Sequence, residues 1–182
     1  MNEELETQRL LLRKPERNDI PALAAQLGDW DVAKTLGRVP HPYSERDAAE
    51  FFARLEARPA EQPDLTFGIV LKAGGAYIGG CGVHLRENDE FELGYWVGKP
   101  HWGNGYATEA ARAVTRAAFE LFALERITAG WFEDNPASGR VLEKLGFVPD
   151  GEEMRECRAR GCAVRCHAML LTREAFAGKR AA

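Results

Sequence analysis

The sequence predicts an α+β domain, a central mixed, mostly antiparallel sheet of six to seven strands flanked by about four helices. Three observations lead there. Apolar and aromatic runs of strand length recur along the chain, at 7–13, 65–72, 76–85, 92–97, 126–132, 147–158 and 163–172. Between some of them the apolar residues switch to helical spacing, most clearly over 108–122. The order is a run of strands, then strand–helix–strand–helix, then a last antiparallel pair, which places helices on the faces of one sheet.

Each element has a local reason. In 7–13, Leu10 and Leu12 share one face and Leu11 takes the other. Asn18 and Asp19 supply a helix cap before Pro21, and Leu23, Ala24 and Leu27 form a stripe that ends at Gly28. A short segment around Trp30 and Val32 leads to Pro40-His41-Pro42-Tyr43, too rich in proline for a helix. Ser44 and Asp47 are spaced as a capping box for a helix carrying Ala48, Phe51, Phe52 and Leu55, which stops before Pro59. Residues 59–64 read as a loop, Gly74-Gly75 as a hairpin turn between two strands, and 86–89 as a turn. Asn135-Pro136-Ala137-Ser138 opens a further helix with Val141, Leu142 and Leu145 apolar and Gly146 as its stop. Arg160-Gly161 turns the final pair.

Composition sets bounds on function. With 182 residues and 45% hydrophobic content the chain forms one globular domain over 1–182. A net charge of −4 gives no basis for nucleic-acid backbone binding. No apolar run approaches the roughly 20 residues of a membrane span, and the acidic Met1-Asn2-Glu3-Glu4 start lacks the apolar core of a secretory signal. The expectation is a cytoplasmic protein. Cys157, Cys162 and Cys166-His167 invite a metal reading, but their spacing fits no common zinc pattern, and reduced thiols without metal are expected.

The chemistry centres on 92–109. Glu92-Leu-Gly-Tyr-Trp-Val97 is a strand; Pro100, Gly103 and Gly105 break it; a helix follows at once. Glycines at a helix start leave backbone N–H groups aimed at one point with the positive end of the helix dipole behind them, and a pyrophosphate suits the turn. Neither a Walker motif nor Gly-x-Gly-x-x-Gly is present. Trp102-Gly103-Asn104-Gly105-Tyr106-Ala107 resembles instead the acyl-CoA pyrophosphate loop of the GCN5-related N-acetyltransferase (GNAT) superfamily, with Trp102 where the family has Gln or Arg. The flanking Glu-Leu-Gly-Tyr-Trp-Val and Gly-Tyr-Ala-Thr-Glu-Ala are most similar to the ribosomal-protein-alanine N-acetyltransferase branch. Asn135 to Ser138 leading to Leu145-Gly146-Phe147 matches the family's second motif, so the resemblance spans nearly the whole chain, from 7–13 to 171–174.

The resemblance implies the GNAT fold and an acetyl-CoA-dependent N-acetyltransferase, with acetyl-CoA as co-substrate and no metal. It implies that main-chain groups of Tyr95, Trp96 and Val97 hold the pantetheine arm, that Trp102, Gly103, Asn104, Gly105, Tyr106, Ala107 and Thr108 form the phosphate loop, and that Asn135 bonds the arm or a water beside it. The family often takes its proton donor from a tyrosine seven residues after that Asn; here the position is Leu142, and the ribosomal branch points to Ser138 instead. Ser138 as a plain helix cap is the competing account. For the base, Glu90 and Glu92 share one face of the strand by alternation, and a carboxylate there must meet solvent, a cation or substrate. Relatives with a base on this strand single out Glu92; pairing with an arginine is the alternative, and Glu90 and Glu156 are further candidates. Trp30, His41 and Tyr43 lie where acceptor-pocket residues are expected, His101 falls in the loop, and Arg112 with Arg116 could meet the CoA 3′-phosphate, against solvated roles for all of them.

The acceptor is expected to be a primary amine, either a protein N-terminal α-amine or a small molecule such as a polyamine, amino acid or drug, and the protein a monomer or homodimer. A non-catalytic acyl-CoA-binding or sensing module on the same fold is the reading from a different class.

Overall fold

The computed structural model describes residues 4–59, 64–86 and 89–178. Eight strands form one sheet: β1 (Glu4–Glu6), β2 (Leu10–Arg13), β3 (Asp64–Leu71), β4 (Tyr77–Leu85), β5 (Phe91–Val97), β6 (Arg126–Phe132), β7 (Val148–Cys157) and β8 (Cys162–Thr172), in the order β1-β2-β3-β4-β5-β6-β8-β7. All neighbours pair antiparallel except β5 and β6. The helices are α1 (Ile20–Leu27), α2 (Trp30–Ala33), α3 (Glu45–Glu56), α4 (Tyr106–Phe122), α5 (Pro136–Leu145) and α6 (Arg173–Gly178). The mixed, mostly antiparallel sheet is the expected one. The additions are β1, α2 and α6, elements of three, four and six residues, too short to show a period in the sequence.

The local signals mostly produce the structures expected of them. Ser44 Oγ accepts from the Asp47 N–H while the Asp47 carboxylate accepts from the Ser44 N–H at 2.8 Å, closing the capping box of α3. Gly74 and Gly75 take φ of 84° and 69° in the β3–β4 turn, where a side chain would be strained. Asp19 departs from expectation. It is buried, its side chain caps no α1 donor, and the Arg13 guanidinium donates to both its oxygens at 2.9 and 2.8 Å. A buried carboxylate is best stabilised by a charge-assisted, two-point bond, and that demand outweighs capping here.

Two apolar clusters cover the sheet faces. On one, α4 lays Ala110, Ala111, Val114 and Ala118 against Leu93 and Val97 of β5 and Ile78 and Val83 of β4. Small residues on α4 let its backbone approach closely, and each fully buried Leu, Ile or Val of this cluster contributes about 1.5–3 kcal/mol. On the other face Leu23, Leu27 and Ala48 of α1 and α3 pack with Val70, Tyr77 and the partly buried Trp96. Alternation along β5 therefore sends Leu93, Tyr95 and Val97 toward α4, and Glu92, Gly94 and Trp96 toward α1 and α2.

One junction positions everything that follows. β5 and β6 share a single bridge, Glu92 with Thr128, reinforced where Thr128 Oγ1 donates to the Phe91 carbonyl at 3.2 Å. Beyond it the two strands part. β5 is held by β4 and β6 by β8, so their facing edges keep backbone polar groups with no ladder partner in the gap. The sheet is split, and the split is a slot for an extended ligand. None of the described helices is long and apolar enough to cross a membrane.

Candidate active site

A cavity of about 730 Å³ follows the split from the start of α4 to the β7–β8 hairpin. Its floor is the edge of β5. Tyr95, Trp96 and Val97 line it, as do Trp102, Gly103, Gly105, Tyr106, Ala107, Thr108, Asn135 and Ser138. Of the expected loop residues Asn104 alone does not. Its amide donates to the carbonyls of His101 and Trp102 at 3.1 and 3.0 Å and its own carbonyl accepts from Arg9 at 3.0 Å, so it closes the loop from behind.

The loop is built for an anion. Gly103 and Gly105 sit at φ of 77° and 79°, and a Cβ on Gly103 would point into open space. The first backbone bond of α4 runs from the Glu109 N–H to the Gly105 carbonyl, and among the described residues no backbone bond leaves the N–H groups of 103–108. A row of free donors at a helix N-terminus is the geometry a pyrophosphate needs. The loop is stapled from outside: Arg9 donates to Glu109 and lies 4.6 Å over the Tyr106 ring, and Thr7 Oγ1 donates to Glu109 at 2.7 Å. Burial pushes the Glu109 carboxyl up, but the bonds from Thr7 and Arg9 outweigh it and hold it below its ordinary range. Trp102, in the family's Gln or Arg position, donates its indole N–H to the Val97 carbonyl at 2.6 Å, so the loop is tied to the end of β5 by a different side chain.

On the α4–α5 side of the split Tyr95 reaches α5. Its hydroxyl lies 2.8 Å from Ser138 Oγ and 3.0 Å from the Ser138 carbonyl. Burial pushes the Tyr95 hydroxyl well above its usual range, with a smaller opposing effect from Ser138, so it stays protonated. Ser138 does not cap α5. The cap is Asn135, whose side chain accepts from the Ser138 N–H at 3.4 Å, and Ser138 occupies the third helical position. Leu142 is fully buried in the core on the inner face of α5, so an aliphatic side chain fits it.

On the opposite side stands Glu92. Arg155 Nη1 lies 3.0 Å and Arg86 Nε 3.8 Å from the same oxygen, Oε2. The arginine alternative is therefore the observed state, and the paired carboxylate lines the cavity. Arg155 comes from β7 and reaches Glu92 across β6, where a Cβ on Gly130 would fall 3.0 Å from its guanidinium and 2.7 Å from Cys166 Sγ. Burial pushes the Cys166 thiol up despite the neighbouring Arg155, so the one thiol lining the cavity is not a thiolate.

Several expected residues lie elsewhere. Glu90 sits outside the cavity beside Arg126, 2.9 Å away. Glu156 borders the cavity but is exposed on β7. Trp30, His41 and Tyr43 do not line it: Trp30 and His41 pack edge to face at 5.1 Å, and Tyr43 joins the α1–α3 cluster. Val32 and residues 35–38, between Trp30 and His41 in the chain, form that wall instead. His101 does line the cavity. Arg112 and Arg116 border a shallower depression beyond Gly105 and Thr108, shared with Lys144, whose carbonyl accepts from Arg112 at 3.1 Å. Arg86, Gly130, Arg155 and Cys166 were not anticipated, and no local pattern marks them. Among the described residues no group of three His, Cys, Asp or Glu side chains is placed to hold a metal ion.

Comparison with known proteins agrees with this geometry. The family model described as an acetyltransferase (GNAT) domain matches residues 9–148. The uncharacterized N-acetyltransferase p20 of Bacillus licheniformis is 30% identical over 178 residues, 97% of this chain and 99% of that protein. The ribosomal-protein-serine acetyltransferase of Escherichia coli is 31% identical over 64 residues, 35% of this chain and 36% of that protein. The structure of a GNAT-family acetyltransferase from Bacillus anthracis superposes with a TM-score of 0.79 at 25% identity, covering 94% of this chain and 99% of that one. The spermidine N-acetyltransferase of Vibrio cholerae, solved with CoA and spermine, shares the fold at a TM-score of 0.78 and 18% identity, covering 94% and 99%.

Proposed function

The chain belongs to the GNAT acetyltransferase family and is an N-acetyltransferase using acetyl-CoA, and from that premise we propose that it acetylates the N-terminal α-amine of a polypeptide by direct attack on the thioester. The observation that carries the proposal is the placement of groups across the split sheet. A cavity-lining carboxylate, Glu92, stands on one side, and a protonated hydroxyl pair, Tyr95 and Ser138, stands on the other.

Acetyl-CoA supplies the activated acetyl group. The residues of this chain bind it, orient it and move two protons. The N–H groups of 103–108 hold its pyrophosphate, and the open edge of β5 at Tyr95 to Val97 offers main-chain partners to the extended arm. Glu92 takes the proton that the amine must lose before its lone pair can attack, directly or through one water, while Arg155 and Arg86 fix the carboxylate by its far oxygen. Ser138 donates a hydrogen bond to the sulfur as negative charge grows there, and Tyr95 completes the donor chain. An acyl-enzyme on Cys166 is disfavoured by its protonated thiol, which supports direct transfer.

Support for a polypeptide acceptor comes from the ribosomal-protein relative and from the acceptor end of the cavity, rimmed by residues 35–38 together with the β7–β8 hairpin. A polycation such as spermidine would meet Arg38, Arg86, Arg155 and Arg158 there. The test is to follow free-thiol release from acetyl-CoA over a panel of peptides and small amines, with mass spectrometry of the products. Acetyl on peptide α-amines is the expected result. Preferred acetylation of polyamines would refute the polypeptide reading, and tight acetyl-CoA binding with no release to any amine would mark a binding module.

A further inference from the structure

The chain carries a net charge of −4, yet among the described residues the cavity wall reverses that balance: six cations, Arg38, Arg86, Arg140, Lys144, Arg155 and Arg158, against two carboxylates, Glu92 and Glu156. Arg140 and Lys144 belong to α5, on the side assigned to the acidic cofactor. Arg86 and Arg155 are occupied with Glu92. Arg38 and Arg158 remain. Both are exposed, and neither has a carboxylate partner among the described residues, in a chain whose Arg13, Arg17, Arg126 and Arg160 all find one.

The two come together by backbone pairing, not by chance of long side chains. The Arg158 N–H donates to the Gly37 carbonyl at 3.0 Å and its guanidinium approaches the Arg38 carbonyl at 3.5 Å, so the hairpin end and the segment after α2 form one rim. Gly37 permits this contact, since a Cβ there would already stand 3.3 Å from the Glu156 carbonyl. Cys157 Sγ, at 3.5 Å from the carbonyls of Lys34 and Leu36, pins the same seam from below. Two arginines thus border the acceptor end of the cavity, Arg158 with its guanidinium against the rim, each with donors in a planar fork suited to a carboxylate.

Building on the acyl-transfer reading above, we propose that Arg38 and Arg158 select acceptor chains bearing carboxylates a few residues behind the amine, so that the substrate is an acidic N-terminal segment. The amine passes inward to Glu92 while the following acidic side chains stay at the rim. The rim acts on encounter and orientation, and its effect falls with salt.

The experiment compares peptides of equal length that differ only at their second to fourth residues, acidic, neutral or basic, at low and high salt. The acidic peptide is expected to exceed the neutral one in kcat/KM by about tenfold at low salt, two surface ion pairs contributing a few-fold each. Arg38→Ala with Arg158→Ala should abolish the preference and leave acetyl-CoA affinity unchanged. Arg38→Glu with Arg158→Glu should turn it toward basic peptides, a gain that misfolding cannot produce. Equal rates for acidic and neutral peptides, or a preference that survives both double variants, would overturn this inference alone. Failure to acetylate any amine, with acetyl-CoA still bound, would overturn the transfer reading and this inference with it.

Discussion

The two walls of the cleft are built in opposite ways. The wall proposed to meet the cofactor is backbone: six consecutive N–H donors at 103–108, two glycines at positive φ and a helix start, all within one short stretch. The wall proposed to meet the acceptor is side chain: Glu92 from β5, Arg86 after β4, Arg155 from β7 and the rim at 37–38, brought together only by the sheet. A cofactor common to a whole family can be gripped by a local motif whose geometry tolerates little change. An acceptor that differs among relatives is better met by side chains that can be exchanged singly. Damage to the first wall should abolish binding, and damage to the second should spare binding and slow transfer.

The largest effect expected from this contrast is at Gly105. Its φ of 79° costs a β-branched residue roughly 1–2 kcal/mol, and a Cβ would meet nothing closer than Arg9 at 3.6 Å, so the damage comes from backbone strain and the phosphate contact. Gly105→Val should weaken acetyl-CoA binding by on the order of 100-fold or more by calorimetry, the equivalent of two or more lost hydrogen bonds to charge. Wild-type affinity in that variant would remove the loop from the cofactor wall.

Next in size is Glu92→Gln. It leaves the split and the loop intact but removes the proton acceptor, and turnover should fall by about 10²–10³-fold with acetyl-CoA affinity nearly unchanged. Because the variant also removes one anion from Arg155, which keeps Glu153, and the Glu92 carboxylate from Arg86, melting temperature must be measured beside it. A normal rate would return Glu92 to a purely structural ion pair and direct attention to Glu156. A smaller, more diagnostic change is Gly130→Ala. The added methyl would press on Arg155 and Cys166, neither of which touches the loop. Turnover should drop about tenfold, as expected when a positioned group is displaced by a fraction of an ångström, with no change in cofactor affinity. If Gly130→Ala leaves the rate intact, Arg155 does not position Glu92.

The same contrast explains what was legible in the sequence. The loop could be read because everything it needs is contiguous, and β6 was read at 126–132 because its apolar residues sit between clear turns. Asn135 and Gly146 likewise announced both ends of α5. Arg155 was invisible because its meeting with Glu92 depends on the order β5-β6-β8-β7 and on the absence of a side chain at Gly130, neither of which leaves a local trace. Trp30, His41 and Tyr43 misled for a related reason: they are the conspicuous residues of their segment, but α2 turns Trp30 against His41 and presents Val32 to the cavity. Ser138 lies on the expected helix, but the competing account of it as a plain cap fails, because Asn135 caps α5.

The smallest effect, and the sharpest test of the hydroxyl pair, is expected at Tyr95. Its single proton has two acceptors within reach, the Ser138 carbonyl at 3.0 Å and Ser138 Oγ at 2.8 Å. If the phenol donates to the carbonyl, Ser138 must spend its own proton on the phenol; if it donates to Oγ, the serine proton is free to point into the cleft. Only the second arrangement lets Ser138 meet the sulfur, and a growing negative charge there favours it. Tyr95→Phe removes the choice: Ser138 keeps its hydroxyl but loses the partner that orients it. Turnover should fall by a few-fold to about tenfold, close to the net value of one hydrogen bond. Ser138→Ala should cost more, and the double variant should be no slower than Ser138→Ala, since Tyr95 acts through the serine. Burial holds the phenol above its ordinary range, so it keeps its proton throughout the working pH range, and Tyr95→Phe should leave the alkaline limb of the pH–rate profile where it is. Losses that multiply in the double variant would show two independent donors, and a shifted alkaline limb would show that Tyr95 itself gives up its proton.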